Sequence, residues 1–260
     1  MTPEPIPVRS QSILECRNCG AGAPIDEHFC PNCSRILALG RHGDYFTFLG
    51  LPKRLRIDVH ELETRFRELS RKFHPDYYYN ATAAERLASL ERSSYLNDAY
   101  RALRNPVSRI EHLLAIEGMA APQSESASPG SERGESTRSG QGGGSTGSGQ
   151  PGKVPPALLE EVFELNEELD SIREAREAGD DAATLRVRLV AARAPIERKR
   201  EEHEQQLEEL SARWDAQADA HAGPADRRAT LAALRDRLLE RNYINNLLAA
   251  IDREAASLNS

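Results

Sequence analysis

Between Asp58 and Phe73 the apolar residues Val59, Leu62, Phe66, Leu69 and Phe73 recur at intervals of three and four, the repeat of one face of an α-helix, and Asp58 is placed to cap its first turn. His74-Pro75-Asp76 follows at once, and Pro75 disfavours the helical conformation at His74, so the chain must leave the helix through a loop. A second helix is expected from about 83 to 104, with Leu96, Ala99, Tyr100 and Leu103 on its buried face and Asn105-Pro106 ending it. The first helix carries charge on its other side: His60, Thr64, Arg67 and Arg71 cluster away from the apolar stripe, and Arg65 and Lys72 lie on the opposite flank beside Glu61 and Glu68.

Past residue 153 the helical repeat resumes. Three helices are expected over about 155–178, 181–220 and 225–257, punctuated by Gly179-Asp180 and Ala222-Gly223-Pro224, with Pro195 as a kink in the second. Leu158, Val162, Leu165, Leu169 and Ile172 form a stripe within about 80° of arc, wide enough to face a bundle partner. Leu159 and Phe163 fall about 100 to 140° from Leu158 on the same wheel, beside Glu160, Glu164 and Glu167. This reads either as a broad core face with ordinary solvated glutamates or as an apolar patch edged by acids. Between the two helical regions, 121–153 offers almost no large apolar side chain and many Gly and Ser, the composition of a flexible tether.

Composition narrows the class. Aromatics make up 5% of 260 residues, too few for one large core, so several small units are expected. Charged residues reach 29% and the formal net charge is -7, which argues against a general binder of nucleic acid or anionic membrane and confines any basic surface to a local patch. No run approaches the roughly 18 to 20 apolar residues of a membrane helix, and residues 1–11 lack the apolar core of a signal peptide. A cytoplasmic location follows as the expectation, and with it reduced thiols.

The four cysteines then become the strongest chemistry in the chain. Cys16-Arg17-Asn18-Cys19 and Cys30-Pro31-Asn32-Cys33 are two Cys-x-x-Cys turns separated by the ten residues Gly20 to Phe29. Each turn aims two sulfurs at one centre and the spacer lets the chain fold back, giving a closed shell of Cys16, Cys19, Cys30 and Cys33 suited to a structural Zn²⁺. A redox pair needs only one such turn, normally in a βαβ setting that is missing here. About 25 residues bury little core, so metal ligation should supply most of the folding energy of this segment, and metal loss is expected to melt this segment alone.

Two helices joined by a loop carrying His74-Pro75-Asp76, preceded by Asp44-Tyr45-Phe46, resemble a J domain. The stretch from Asp44 to Pro52, the His-Pro-Asp loop, and Asn97 to Pro106 continuing through Arg109 to Leu114 resemble the HscB-type J-protein co-chaperones of iron–sulfur cluster assembly. Leu158 to Ile172, with Asn166-Glu167-Glu168-Leu169-Asp170, is similar to the first helix of that family's C-terminal domain, so the resemblance spans about four-fifths of the chain. It implies an all-α protein: a tail over 1–15, a zinc knuckle over 16–40, a J domain over 44–118, a linker over 119–153 and a helical scaffold-binding domain over 154–260. It implies that His74, Pro75 and Asp76 contact a DnaK- or HscA-class chaperone and stimulate its ATP hydrolysis, with Arg67, Arg71 and Lys72 aiding docking. The chain itself would not be an enzyme. It further implies that Leu159, Phe163, Glu164, Glu167 and Tyr243 hold an IscU-like iron–sulfur scaffold protein, with no nucleic acid or membrane among the partners.

Tyr77, where J domains commonly carry Lys, and Glu160 and Ser171 in the patch depart from the family pattern, and the tether is longer than usual. Two other readings stay open, a J-protein for a different client and a zinc-ribbon nucleic-acid module with helical appendages.

Overall fold

A computed structural model describes residues 13–40, 44–119, 158–220 and 222–258. The expected tether lies, apart from Met119, outside the described residues. Seven α-helices and one two-stranded sheet are present among them, an all-α body as the hydrophobic periodicity requires. The described residues divide into two compact units, one of those up to 119 together with those of 210–234, the other of 158–209 with 235–258.

The first unit opens with a hairpin of β1 (Ile13–Glu15) and β2 (Gly22–Pro24), paired antiparallel with Leu14 opposite Ala23. Ile13–Glu15 are thus ordered strand rather than the end of the tail expected over 1–15. A four-residue helix α1 (Tyr45–Phe48) follows, capped by the Asp44 carboxylate, which accepts from the N–H groups of Phe46 and Thr47. Helix α2 (Val59–Phe73) starts at Asp58, whose side chain accepts from the His60 N–H. Its buried stripe begins at Leu62, and Val59, in the first turn beside the cap, stays 45% exposed.

Helix α3 (Ala83–Arg104) is started by a capping box in which Thr82 and Glu85 satisfy each other's backbone N–H groups. Asn105-Pro106 ends α3 and also begins α4 (Pro106–Ile116), because Asn105 caps the N–H groups of Val107 and Ser108 and Pro106 needs no donor in a first turn. Phe66 stacks on Tyr100 at 4.3 Å while the Phe73 carbonyl meets Ser89 and Ser93, so α2 and α3 run antiparallel. Phe46, Phe48, Leu62, Phe73, Ala99 and Leu103 form the centre of this core.

Residues 210–234, expected within the C-terminal domain, cluster with this unit. The Asp215 carboxylate accepts from the N–H groups of Leu55 and Arg56 at 2.8 and 2.9 Å, and Arg54 pairs with Asp219 at 2.5 Å. These contacts satisfy an irregular loop that has no ladder of its own.

The second unit takes α5 (Leu159–Glu177) with parts of α6 (Ala182–Asp219) and α7 (Pro224–Ser257). Its core is aliphatic, with Leu165, Leu169 and Ile172 from α5, Leu185, Leu189 and Ile196 from α6, and Ile244, Leu247, Leu248 and Ile251 from α7. Helix α6 continues through Pro195. No helix among the described residues is long and apolar enough to cross a membrane.

Candidate functional site

Three groups of side chains carry chemistry, and each is set up by local backbone geometry. The cysteines sit on two matching turns. In the first, Gly20 N–H donates to the Cys16 carbonyl and Cys16 N–H to Ala21; in the second, Ser34 N–H donates to Cys30 and Cys30 N–H to Arg35. Both turns close through a positive φ, 71° at Gly20 and 56° at Ser34, a conformation glycine adopts freely and serine only under constraint. The four ligand sulfurs lie within 4.8 Å of one another, with Cys16 and Cys33 at 3.7 Å and Cys19 and Cys30 at 3.6 Å. Sulfurs about 2.3 Å from a common tetrahedral centre lie about 3.8 Å apart, so the spacing fits a metal ion held by four thiolates. The hydrogen bond from the Ala21 backbone, aided by Asn32, pulls the Cys19 thiol down to about 6, and the Arg35 backbone lowers that of Cys33. Against the Cys33 backbone hydrogen bond, burial and the contacts with the Cys19 and Cys33 thiols push Cys30 up to about 11, so Cys19 and Cys33 are poised as the thiolates a metal requires and Cys30 must lose its proton on binding.

The His-Pro-Asp loop leaves α2 at its C-terminal end. His74 is extended (φ -58°, ψ 126°), the conformation that Pro75 imposes, and a 3₁₀ turn over Pro75–Tyr78 follows. The His74 Nδ1 accepts from the Asp76 N–H at 3.3 Å, which leaves the ring proton on Nε2, and the imidazole and Asp76 carboxylate both face solvent. Arg71 and Lys72 occupy the last turn of α2, where cations complement the helix dipole. Arg67 is exposed and pairs with Glu63 at 3.1 Å, so its charge is partly matched within the helix.

On α5, Leu159 and Phe163 are 54% and 64% exposed while Leu165, Leu169 and Ile172 are buried. Glu164 and Glu167 are exposed beside them, whereas Tyr243 is half-buried against the core of its unit. The two apolar residues are therefore off the core face, which removes the broad-core alternative for them. Glu164 also lines a cleft of about 310 Å³ between α5 and α6, with Leu165, Arg188 and Pro195.

Sequence reasoning missed Arg92, Ser89 and His28. Helical spacing had offered a signal, since Glu85, Ala88, Ser89, Arg92, Leu96, Ala99 and Leu103 share the buried face of α3, and of its two charges Glu85 is taken up by the capping box while Arg92 lies in the middle of the helix. Arg92 is 0% exposed, and burial lowers it to about 10, still charged at neutral pH.

No protein-family model matches the chain. The crystal structure of the human co-chaperone protein HscB aligns with a TM-score of 0.59 and 21% identity, over 93% of this chain and 98% of that one. The chaperone HscB from Vibrio cholerae aligns with a TM-score of 0.48 and 24% identity, over 83% of this chain and 99% of that one. The likeness to the human protein shows that the chain has the fold of an HscB co-chaperone.

Proposed function

We propose that the protein is a J-protein co-chaperone whose His74-Pro75-Asp76 loop engages an ATP-driven chaperone of the DnaK or HscA class and stimulates its ATP hydrolysis. What carries this reading is the exposed loop itself, held between antiparallel α2 and α3 in an HscB fold, with His74 and Asp76 free of any role in the core. Arg67, Arg71 and Lys72 give the same end of α2 a basic flank that steers an acidic partner face. No cradle for a nucleotide is needed here, since the bond cleavage belongs to the chaperone.

In this reading Leu159 and Phe163 anchor an IscU-like iron–sulfur scaffold protein, with Glu164, Glu167 and Tyr243 around them. Cys16, Cys19, Cys30 and Cys33 hold one structural Zn²⁺, which supplies a cross-link to a segment too small to fold on its own core. The exposed Glu160, and Ser171 taken up by a 2.9 Å hydrogen bond from Arg188, give the patch a makeup of its own and favour a second reading with a different client.

The deciding experiment is stimulation of a chaperone ATPase, with and without scaffold, by the wild type and by His74→Gln and Asp76→Asn. Loss of stimulation in both variants, with unchanged circular dichroism, supports the co-chaperone reading. Equal stimulation by wild type and variants removes it. Stimulation unaffected by scaffold keeps the J-domain reading and turns the client to another protein. Elemental analysis should find one zinc per chain.

A further inference from the structure

Arg92 projects from α3 into the cysteine module and its guanidinium donors all end there. Nε donates to the Leu37 carbonyl at 2.8 Å, Nη2 to the carbonyls of Ala38 and Glu27 at 3.2 and 3.3 Å, and Nη1 to His28 Nδ1 at 2.7 Å. Glu27 and His28 precede Cys30, and Leu37 and Ala38 follow Cys33. The two segments pair with each other, through Leu37 N–H to the His28 carbonyl, Cys30 N–H to the Arg35 carbonyl, and a bridge between Phe29 and Ile36. Arg92 therefore spans the base of the hairpin whose tip is the Cys30–Cys33 turn. Leu37 packs with Cys16 and Cys30 in the module's own small core.

The other end of this contact chain is the His-Pro-Asp loop. Because a guanidinium can only donate, His28 Nδ1 accepts, and His28 Nε2 carries the proton that it donates to the Phe48 carbonyl at 3.0 Å. The His28 ring stands edge-on to Phe73 at 5.1 Å, Phe29 lies 6.0 Å from the same ring, and the Arg92 guanidinium covers it at 5.7 Å. Phe73 is the residue before His74. Its carbonyl, which the proline-imposed exit from α2 leaves without a helical donor, takes the Ser89 and Ser93 hydroxyls at 2.6 and 3.0 Å. Ser89, Arg92 and Ser93 are successive positions on one face of α3.

We propose that Arg92 is a positioning residue that couples the four-cysteine module to the His-Pro-Asp loop, so that metal loading of the module sets the order of the loop. The functional half of this statement rests on the co-chaperone reading above; the structural half does not. Without metal the hairpin loses its closed tip, Arg92 loses acceptors on both of its strands, and Phe73 loses two of the rings that fix it beside His74. The segment expected to melt alone is in this way tied to the loop 40 residues further along the chain than Cys33, at Phe73.

Amide hydrogen exchange of the full chain, zinc-loaded against chelated, reads the coupling without any chaperone. In the wild type, chelation should speed exchange at residues 73–79 and 89–93 at least tenfold while Leu165–Ile172 stay unchanged as an internal control. In Arg92→Met the zinc-loaded protein should still bind one zinc yet exchange in both segments at close to the chelated rate, and Arg92→Lys, with one nitrogen unable to span both strands, should fall between. In a chaperone ATPase assay Arg92→Met should raise the half-saturating concentration several-fold with little change in maximal stimulation. Loop exchange independent of zinc in the wild type overturns the proposal, as does a zinc dependence retained in full by Arg92→Met, or by Arg92→Lys should the methionine variant not fold. A chain that shows the zinc-dependent exchange but stimulates no chaperone leaves the coupling standing and removes the co-chaperone reading.

Discussion

The two units differ in the arginines they bury: among the described residues the first buries two and the second buries none. In the first, Arg92 and Arg109 are buried and spend their forks mainly on main-chain carbonyls: Arg109 donates to Leu103, to Arg104 and to Leu55, satisfying the open end of α3 and a loop at once. In the second, Arg173 and Arg176 reach the Glu254 carboxylate at 2.9 and 2.7 Å, and Arg188 reaches Glu168 at 2.9 Å, all from partly exposed positions. Hydrogen bonds from Arg173 and Ser257 hold Glu254 below the usual carboxylate range against the opposing effect of its burial. The difference follows from secondary structure. Where an arginine faces another long helix, that backbone is already satisfied, so the guanidinium meets carboxylates instead, and the exposed pairs gain little. Knuckles, turns and loops leave carbonyls without partners, and a buried guanidinium can serve several of them together.

The sharpest way to break this contrast is a matched pair of truncations. Arg109→Met should cost about 4 kcal/mol, because three carbonyls each lose a charged donor at about 1.5 kcal/mol. Arg188→Met should cost about 1 kcal/mol or less, because Arg188 and its partner Glu168 are both partly exposed. Chemical denaturation of both variants measures this, and equal losses would show that burial of the fork does not matter.

A second pair probes apolar side chains within α5. Leu165, 4% exposed, should cost about 2 to 5 kcal/mol when cut to Ala, through the cavity it leaves. Leu159→Ala with Phe163→Ala should barely move the melting temperature, and should weaken binding of an IscU-like scaffold by about 2 to 4 kcal/mol in calorimetry. A melting loss for Phe163→Ala as large as that for Leu165→Ala, with scaffold affinity intact, would return Phe163 to the core.

Acid should weaken the first unit through His112. Its Nε2 accepts from the Tyr45 N–H at 3.0 Å and its ring stacks on Tyr45, and burial lowers its pKa below the ordinary histidine value. The folded state disfavours the proton that the unfolded chain takes up, so stability falls as pH drops through about 6.5 and levels off below the folded pKa. An NMR titration that places His112 at or above 6.5 would contradict this.

The smallest effect belongs to the knuckle turn. Ser34→Gly relieves a positive φ and should stabilise the zinc-loaded module by about 1 kcal/mol or less, read as slower metal loss to a chelator. A faster loss would mean that the Ser34 side chain contributes more than its backbone strain costs.

Patterns that repeat along the chain were enough to place α2, α3 and the three C-terminal helices, the Asp58 cap, the two cysteine turns and the Pro75-enforced loop. Each depends on residues within a few positions of one another: a side-chain period, a cap, a missing N–H, a pair of thiols two residues apart. The exposure of Leu159 and Phe163 stood undecided between two readings until the packing of α5 settled which arc faces the core. Nothing local could show that Asp215 would serve the N–H groups of Leu55 and Arg56, some 160 residues before it, and so bring 210–234 into the first unit. Nor could the sequence alone show that Arg92, on the buried face of α3, would find its acceptors on both sides of the second cysteine turn. Hydrogen-bond partners of irregular backbone are set by where distant segments meet, and the hydrophobic period that reveals a helix carries no information about which loop carbonyls will lie across from it.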